Sequence, residues 1–216
     1  MLPYRAMSAF EPLPESFYRR ASEEVARDLL GRYLVRFVDG ERRLVLRLVE
    51  VEAYQGEGDR ASHARNGPVT TRSRRLYRDG GHAYVYLIYG MHHCLNVVTG
   101  TDGDGSAVLI RAGEPVEGGE EMVRNRALSP AGARRPGAVA GGPGKLCQAL
   151  GVDGSFDGRE LWRGELVITR GEPVGDGRVV TGPRVGVEYA GEAAAWPLRF
   201  AVEGSPHVSK PRLTKA

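Results

Sequence analysis

Leu44, Leu46 and Leu48 recur at every second residue, and Glu50 and Glu52 continue the series. That is the period of a β-strand, so a strand over Leu44 to Ala53 is expected to place three leucines and two glutamates on one face. Tyr33 to Val38 reads as the preceding strand, and Asp39-Gly40 between them is a dipeptide that suits a tight hairpin turn. A helical pattern comes before this hairpin. Ser22 stands where a cap is wanted, Glu23 and Glu24 fill the first turn, Val25, Ala26, Leu29 and Leu30 share a face, and Gly31 supplies the stop. Further along, Ala83 to Gly90 forms a second strand-like block, Thr101 to Gly105 a turn, and Ala107 to Arg111 a strand that ends in a charge. Residues 124 to 144, dense in Arg, Gly, Ala and Pro, read as a long loop before a helix at about Lys145 to Leu150. Weaker strands are expected at Leu166 to Thr169, Arg184 to Tyr189 and Leu198 to Val202, and the tail from Lys210 to Ala216 is expected to fray.

A chain of 216 residues can bury a full core as one domain, and its hydrophobic share of 41% with 26% charged residues is that of a soluble globular protein. No apolar run approaches the roughly 20 residues of a spanning helix, and the N-terminus lacks a signal-peptide pattern, so a cytosolic protein without membrane contact is expected. Cys94 and Cys147 stand apart, without the paired spacing of a zinc or redox site, and reduced thiols are expected. The net charge of +3 says little by itself, but it is unevenly spread: Arg60 to Arg78 holds six arginines and no acid, whereas Gly113 to Glu121 is acidic. The arginine-rich run is either a solvated loop or a phosphate-binding surface.

Candidate chemistry begins where the leucine face turns acidic. A carboxylate there is either an edge residue reaching water or a group in a partly desolvated cleft, where its pKa rises and its basicity suits catalysis. Arg111 could mirror the acid across the sheet. Tyr84, Tyr86 and Tyr89 are either core residues or, with Gly80-Gly81 and Gly90 allowing close approach, stacking faces for a flat ligand. Other motifs fail. Gly141 to Lys145 looks like a phosphate loop, but Val139 stands at the first required glycine and Leu146 at the required Ser/Thr. His92, His93 and Cys94 are adjacent, so they point apart rather than converging on a metal.

Taken in order, Glu52-Ala53-Tyr54-x-Gly56, His63, Tyr84-Val85-Tyr86-x-x-Tyr89-Gly90-Met91, Asn96, Arg111-Ala112-x-Glu114-Pro115 and Gly142-Pro143-x-Lys145-Leu146-Cys147 are similar to the alkyladenine (3-methyladenine) DNA glycosylase family. The resemblance runs from about Leu29 to Val208 and includes Arg184-Val185-Gly186-Val187 and Pro197-Leu198-Arg199-Phe200. It implies a single mixed α/β (α+β) domain with a curved antiparallel sheet and surrounding helices. It also implies a monofunctional base-excision enzyme acting as a monomer on double-stranded DNA, without metal or organic cofactor. Carried over by position, Glu52 is the general base that activates a water, and Arg111 helps hold that water and the adjoining phosphate. Tyr54, His63 and Tyr86 form the stacking pocket, and Asn96 screens purine substituents. Tyr89 is the wedge that enters the duplex; Met91, His92 and Lys145 face DNA, and Arg72 of the arginine-rich run joins that set. The sequence departs from the family at His92 and His93, where members carry aromatics.

The chemistry agrees with that assignment. Cleaving an N-glycosyl bond develops positive charge on the sugar, so a nearby carboxylate both stabilises the cation and deprotonates water. A cationic leaving base such as 3-methyladenine needs no general acid, whereas hypoxanthine does, and His63 is the candidate. A base buried in a duplex must be flipped out to be reached. Two other readings are a lyase that forms a Schiff base through Lys145 and a non-catalytic nucleic-acid module on the same fold.

Overall fold

The computed structural model describes residues 10–39, 42–67 and 71–213, with the side chains of Thr71 and Arg72 left outside that description. Eight strands form one antiparallel sheet: β1 (Tyr33–Phe37), β2 (Arg43–Tyr54), β3 (Ala83–Ile88), β4 (His92–Thr99), β5 (Ser106–Glu117), β6 (Leu166–Thr169), β7 (Val179–Gly182) and β8 (Arg199–Val202). The helices are α1 (Ser22–Leu29), α2 (Thr71–Arg74), α3 (Gly119–Asn125), α4 (Pro130–Ala133) and α5 (Pro143–Leu150). The expected mixed α+β class is what the chain adopts. The sheet runs β3-β4-β5-β2-β1-β6 without closing, and β2 is its axis. β5 lies along one edge of β2, while β1 and then β8 share the other, β1 against Arg43 to Arg47 and β8 against Glu50 to Glu52. The β1–β2 hairpin is present, although Gly40 of its anticipated turn lies outside the described residues.

The expected single face of leucines and glutamates is wrong, and the reason is a bulge. Leu48 pairs with Gly113 and Glu50 with Ala112, so Val49 is an extra residue on β2. An extra residue reverses the alternation of everything after it. Leu44, Leu46 and Leu48 join the main core, and so do Val49, Val51 and Ala53 beyond the bulge. Glu50 and Glu52 are thereby turned to the opposite face. A compensating bulge follows at once: Val51 pairs with Ile110, which makes Arg111 the extra residue on β5. The two irregularities restore register and aim Arg111 at the two glutamates.

The main core fills the space between the sheet and α1, α3 and α5, with Val25, Leu29, Met122 and Leu146 contributing from the helices. Ser22 does not cap α1. Ala21 takes the cap position without a side-chain hydrogen bond, and Ser22 is buried within the helix, while Gly31 stops it at φ 84° as expected. The anticipated loop over residues 124 to 144 contains α4 and the end of α3, and α5 begins at Pro143 rather than Lys145. Leu166 to Thr169 is a strand as expected, and Leu198 to Val202 is one from Arg199 onward. Arg184 to Tyr189 is not a strand: Gly186 turns the chain at φ 74°, and the neighbouring strand is β7. Lys210 to Leu213 is described and packs onto the body of the protein rather than fraying at its start, with Leu213 against Gly182 and the Pro211 carbonyl bound by Arg199.

Candidate functional site

Glu50 and Glu52 are both fully buried, yet their surroundings differ. Glu50 Oε1 accepts from Arg111 Nε, Arg199 Nε and Ser209 Oγ, each at 2.8 Å, and Oε2 accepts the Ser209 N–H at 2.6 Å. Desolvation alone would raise its pKa, but the two guanidinium groups and the amide outweigh it and hold the carboxyl below the usual glutamate range. Glu52 Oε1 takes the Val185 N–H at 2.8 Å and stands 3.3 Å from Arg111 Nη1, while Oε2 takes, among the described residues, only the Tyr54 hydroxyl, at 3.0 Å. Here desolvation prevails over the attraction of Arg111, and the carboxyl is pushed above its ordinary value. Arg111 stays firmly charged: burial would lower its pKa, but Glu52 and Glu50 together raise it.

A second buried ion pair supports the first. Arg184 is clamped to Asp59 by two hydrogen bonds of 2.5 and 2.8 Å, and it also donates to the carbonyls of Ala53 and Ala193. Its guanidinium lies 4.6 Å from the centre of the Tyr54 ring. This pair fixes the Tyr54 ring and, through the next residue, the Val185 amide, so both neutral donors to Glu52 depend on it. Neither Asp59 nor the role of Arg184 was foreseen from the chain, since ion pairs between residues this distant leave no local pattern.

The Tyr54 side opens into a cavity of about 360 Å³ whose lining includes Tyr54, His63, Tyr86, Asn96, Arg111 and Val185. His63 Nδ1 is 2.9 Å from the Tyr84 hydroxyl, and its ring meets Tyr86 edge-on at 4.7 Å. Asn96 is buried with its amide donating to the Tyr84 carbonyl at 3.1 Å. At the rim, the β3–β4 hairpin turns through Tyr89 at φ 52° and Gly90 at φ 67°. Tyr89 is 82% exposed and Met91 71%, so the hairpin offers an apolar tip beside the cavity. A non-glycine residue in the left-handed region is strained by about 1–2 kcal/mol, which marks Tyr89 as held there by the turn.

The chain matches the profile of methylpurine-DNA glycosylases over residues 16–206. It belongs to that family. Relatives that bear the provisional name 3-methyladenine DNA glycosylase include one from Methanocella arvoryzae, 51% identical over 92% of this chain and 96% of its own length. One from Myxococcus xanthus is 50% identical over 92% and 93%, and one from Alkaliphilus oremlandii 42% over 92% and 98%.

Of the residues singled out by family resemblance, Glu52, Tyr54, His63, Tyr86, Tyr89, Asn96 and Arg111 all come together in or beside one cavity. Met91 and His92 sit on the adjacent hairpin, and His92 lies against Gly144 of α5. Lys145 is exposed on α5 and lines a neighbouring cleft, not this cavity. Arg72 falls within α2, but its side chain lies outside the described residues. Elsewhere in the arginine-rich run, Arg75 pairs with Asp157 at 2.7 Å and Arg78 bonds His82, so these two hold the fold together. Among the described residues no group of three His, Cys, Asp or Glu is placed to hold a metal ion, and no helix is long and apolar enough to cross a membrane.

Proposed function

We propose that the chain is a monofunctional DNA glycosylase, a single domain acting as a monomer, that hydrolyses the N-glycosyl bond of alkylated or deaminated purines flipped out of duplex DNA. The observation that carries this reading is Glu52: a buried carboxylate with raised basicity, held by three donors, Tyr54, Arg111 and Val185, that themselves line an aromatic cavity. Its Oε2 accepts one hydrogen bond, from Tyr54, which leaves a lone pair for a water proton. The water oxygen attacks the anomeric carbon, its proton passes to Glu52, and the bonding pair leaves with the base. Glu52 offsets the positive charge that builds on the sugar, and Arg111 opposes the rise in the Glu52 pKa that burial causes.

Tyr54, His63 and Tyr86 receive the flipped purine, and Asn96 tests its substituents. Stacking on such rings favours a cationic base by about 0.5–2 kcal/mol, so exclusion by shape supplies the rest of the selectivity. His63 is the proton donor for neutral bases such as hypoxanthine. Tyr89 fills the space the nucleotide leaves, with Met91, His92, Lys145 and Arg72 along the duplex. The lyase reading loses ground because no lysine among the described residues lines the cavity. Such an enzyme works on DNA in the cytosol or nucleoid.

Single-turnover release of free base from duplexes carrying hypoxanthine or 3-methyladenine, in chelator, tests the proposal. Wild type should release base and Glu52→Gln should not, while still binding the lesion duplex; a Glu52→Gln protein that turns over as wild type does refutes it. Borohydride trapping should give no covalent adduct.

A further inference from the structure

Glu50 is as buried as Glu52 and does not line the aromatic cavity, yet it is bonded to a residue that does. Arg111 is held at three points. Its Nε donates to Glu50 Oε1 at 2.8 Å, its Nη2 to the Ser209 hydroxyl at 3.2 Å, and its Nη1 stands 3.3 Å from Glu52 Oε1. The shortest of these contacts is the one to Glu50, so a carboxylate outside the cavity sets the plane of the guanidinium and leaves an outer nitrogen for Glu52. Glu50 is itself fixed. Arg199 Nε and the Ser209 hydroxyl both donate to Oε1 at 2.8 Å, and the Ser209 N–H donates to Oε2 at 2.6 Å. Arg199 also binds the carbonyls of Ser209 and Pro211, which ties the C-terminal segment to the same carboxylate. A chain of direct contacts therefore runs from Ser209 through Glu50 and Arg111 to Glu52.

Packing alone does not call for this cluster, since apolar side chains of the same volume often serve stability as well as buried ions do. Its effect on Glu52 is specific. An arginine that faced Glu52 alone would pair with it closely, and a carboxylate in a close buried pair is a weak base. Glu50 takes the Nε bond of that arginine and adds a like charge on the same face of β2; both effects raise the basicity of Glu52, and repulsion by Glu50 is one of the causes of its upward shift. The other polar groups around Glu52 are the Tyr54 hydroxyl, the Val185 N–H and Arg184, whose charge Asp59 matches. Glu50 bonds none of these, so Arg111 is the group through which it reaches the site.

Resting on the glycosylase reading, we infer that Glu50 is a positioning residue for excision: it shares Arg111 with Glu52 so that the guanidinium orients the general base without neutralising it, and Ser209 adjusts that hold from the C-terminal segment.

The measurement is the single-turnover excision rate against pH for a duplex carrying 7-methylguanine, with wild type, Glu50→Gln and Ser209→Ala. This base is cationic and leaves without an acid, so the profile has one acid limb, which reports protonation of the general base. Glu50→Gln should move that limb down by about one pH unit, because Arg111 turns wholly to Glu52 and the like charge is gone. Its plateau should fall by less than the roughly 10²–10⁴-fold that loss of a general base costs. Ser209→Ala should move the limb up by a smaller step, because Glu50 loses a donor and holds Arg111 more tightly. A destabilised protein loses activity sooner as pH falls, so unfolding cannot produce the downward shift; melting curves at each pH confirm that Ser209→Ala is folded where its limb is read, and that variant decides if Glu50→Gln does not fold. Limbs that stay with wild type overturn the inference, whatever happens to the plateaus, and so does a folded Glu50→Gln whose limb moves up. If wild type releases no base from this duplex or from those carrying hypoxanthine or 3-methyladenine, the glycosylase reading falls instead. The ¹³C signal of the Glu52 carboxyl then still reads the sharing of Arg111: it titrates at lower pH in Glu50→Gln if Glu50 acts as stated and at the wild-type pH if it does not.

Discussion

Glu50 and Glu52 are two residues apart on one strand, face the same side of the sheet and are equally inaccessible to water, yet they are opposites chemically. Glu50 has two arginines and both donors of Ser209, so its charge is fully neutralised and its pKa lies below the ordinary value. Glu52 shares one of those arginines at longer range and otherwise has two neutral donors, so desolvation governs and its pKa lies above. Burial alone therefore does not make a base. What distinguishes a structural carboxylate from a reactive one here is the number of cations that reach it, and the paired bulges at Val49 and Arg111 decide that number.

The sharpest way to break the comparison is Glu50→Gln. It leaves Arg199 without its carboxylate and Arg111 with only Glu52, and stability in urea should fall by about 3–5 kcal/mol. Asp59→Asn comes next, at about 2–3 kcal/mol, because Arg184 keeps its two carbonyls but loses its buried counter-charge. Glu52→Gln should do the reverse of Glu50→Gln, leaving stability within about 1 kcal/mol of wild type or above it, since a group whose charged form is disfavoured loses little on becoming neutral. An equal loss in both glutamine variants would erase the distinction.

The two should also differ in sign with pH. The stabilising effect of Glu50 is present above the unfolded glutamate value, roughly 4.3, and is lost as pH falls through its lower folded value. That of Glu52 is present below the unfolded value and is lost as pH rises through its higher folded value. Differences in unfolding free energy between wild type and each glutamine variant, followed across acid pH, should therefore change in opposite directions. The smallest effect expected is at the hairpin, where Tyr89→Gly should relieve backbone strain and raise stability by up to about 1 kcal/mol while weakening capture of lesion DNA.

Much of this was legible in the chain. The β1–β2 hairpin, the tyrosine strand, β6 and most of β8 follow from two-residue alternation and turn residues, and family resemblance singled out the residues that gather at the cavity. The bulge was missed, although it leaves a mark: Leu48 and Val49 are adjacent, and the apolar positions move from even to odd numbers there. Reading one unbroken period through that pair put the glutamates on the leucine face. The pairing of Glu50 with Arg199 and Ser209, and that of Asp59 with Arg184, were not foreseen because the partners are remote in sequence, 149 residues apart for Glu50 and Arg199.

The central claim is that two neighbouring buried glutamates are held in opposite protonation tendencies, and carboxyl ¹³C NMR through an acid titration tests it most directly, with each signal assigned by its glutamine variant. As pH falls, Glu52 should take up its proton first, above the ordinary glutamate range, and Glu50 only below it. Coincident titration, or Glu50 protonating before Glu52, would contradict the account.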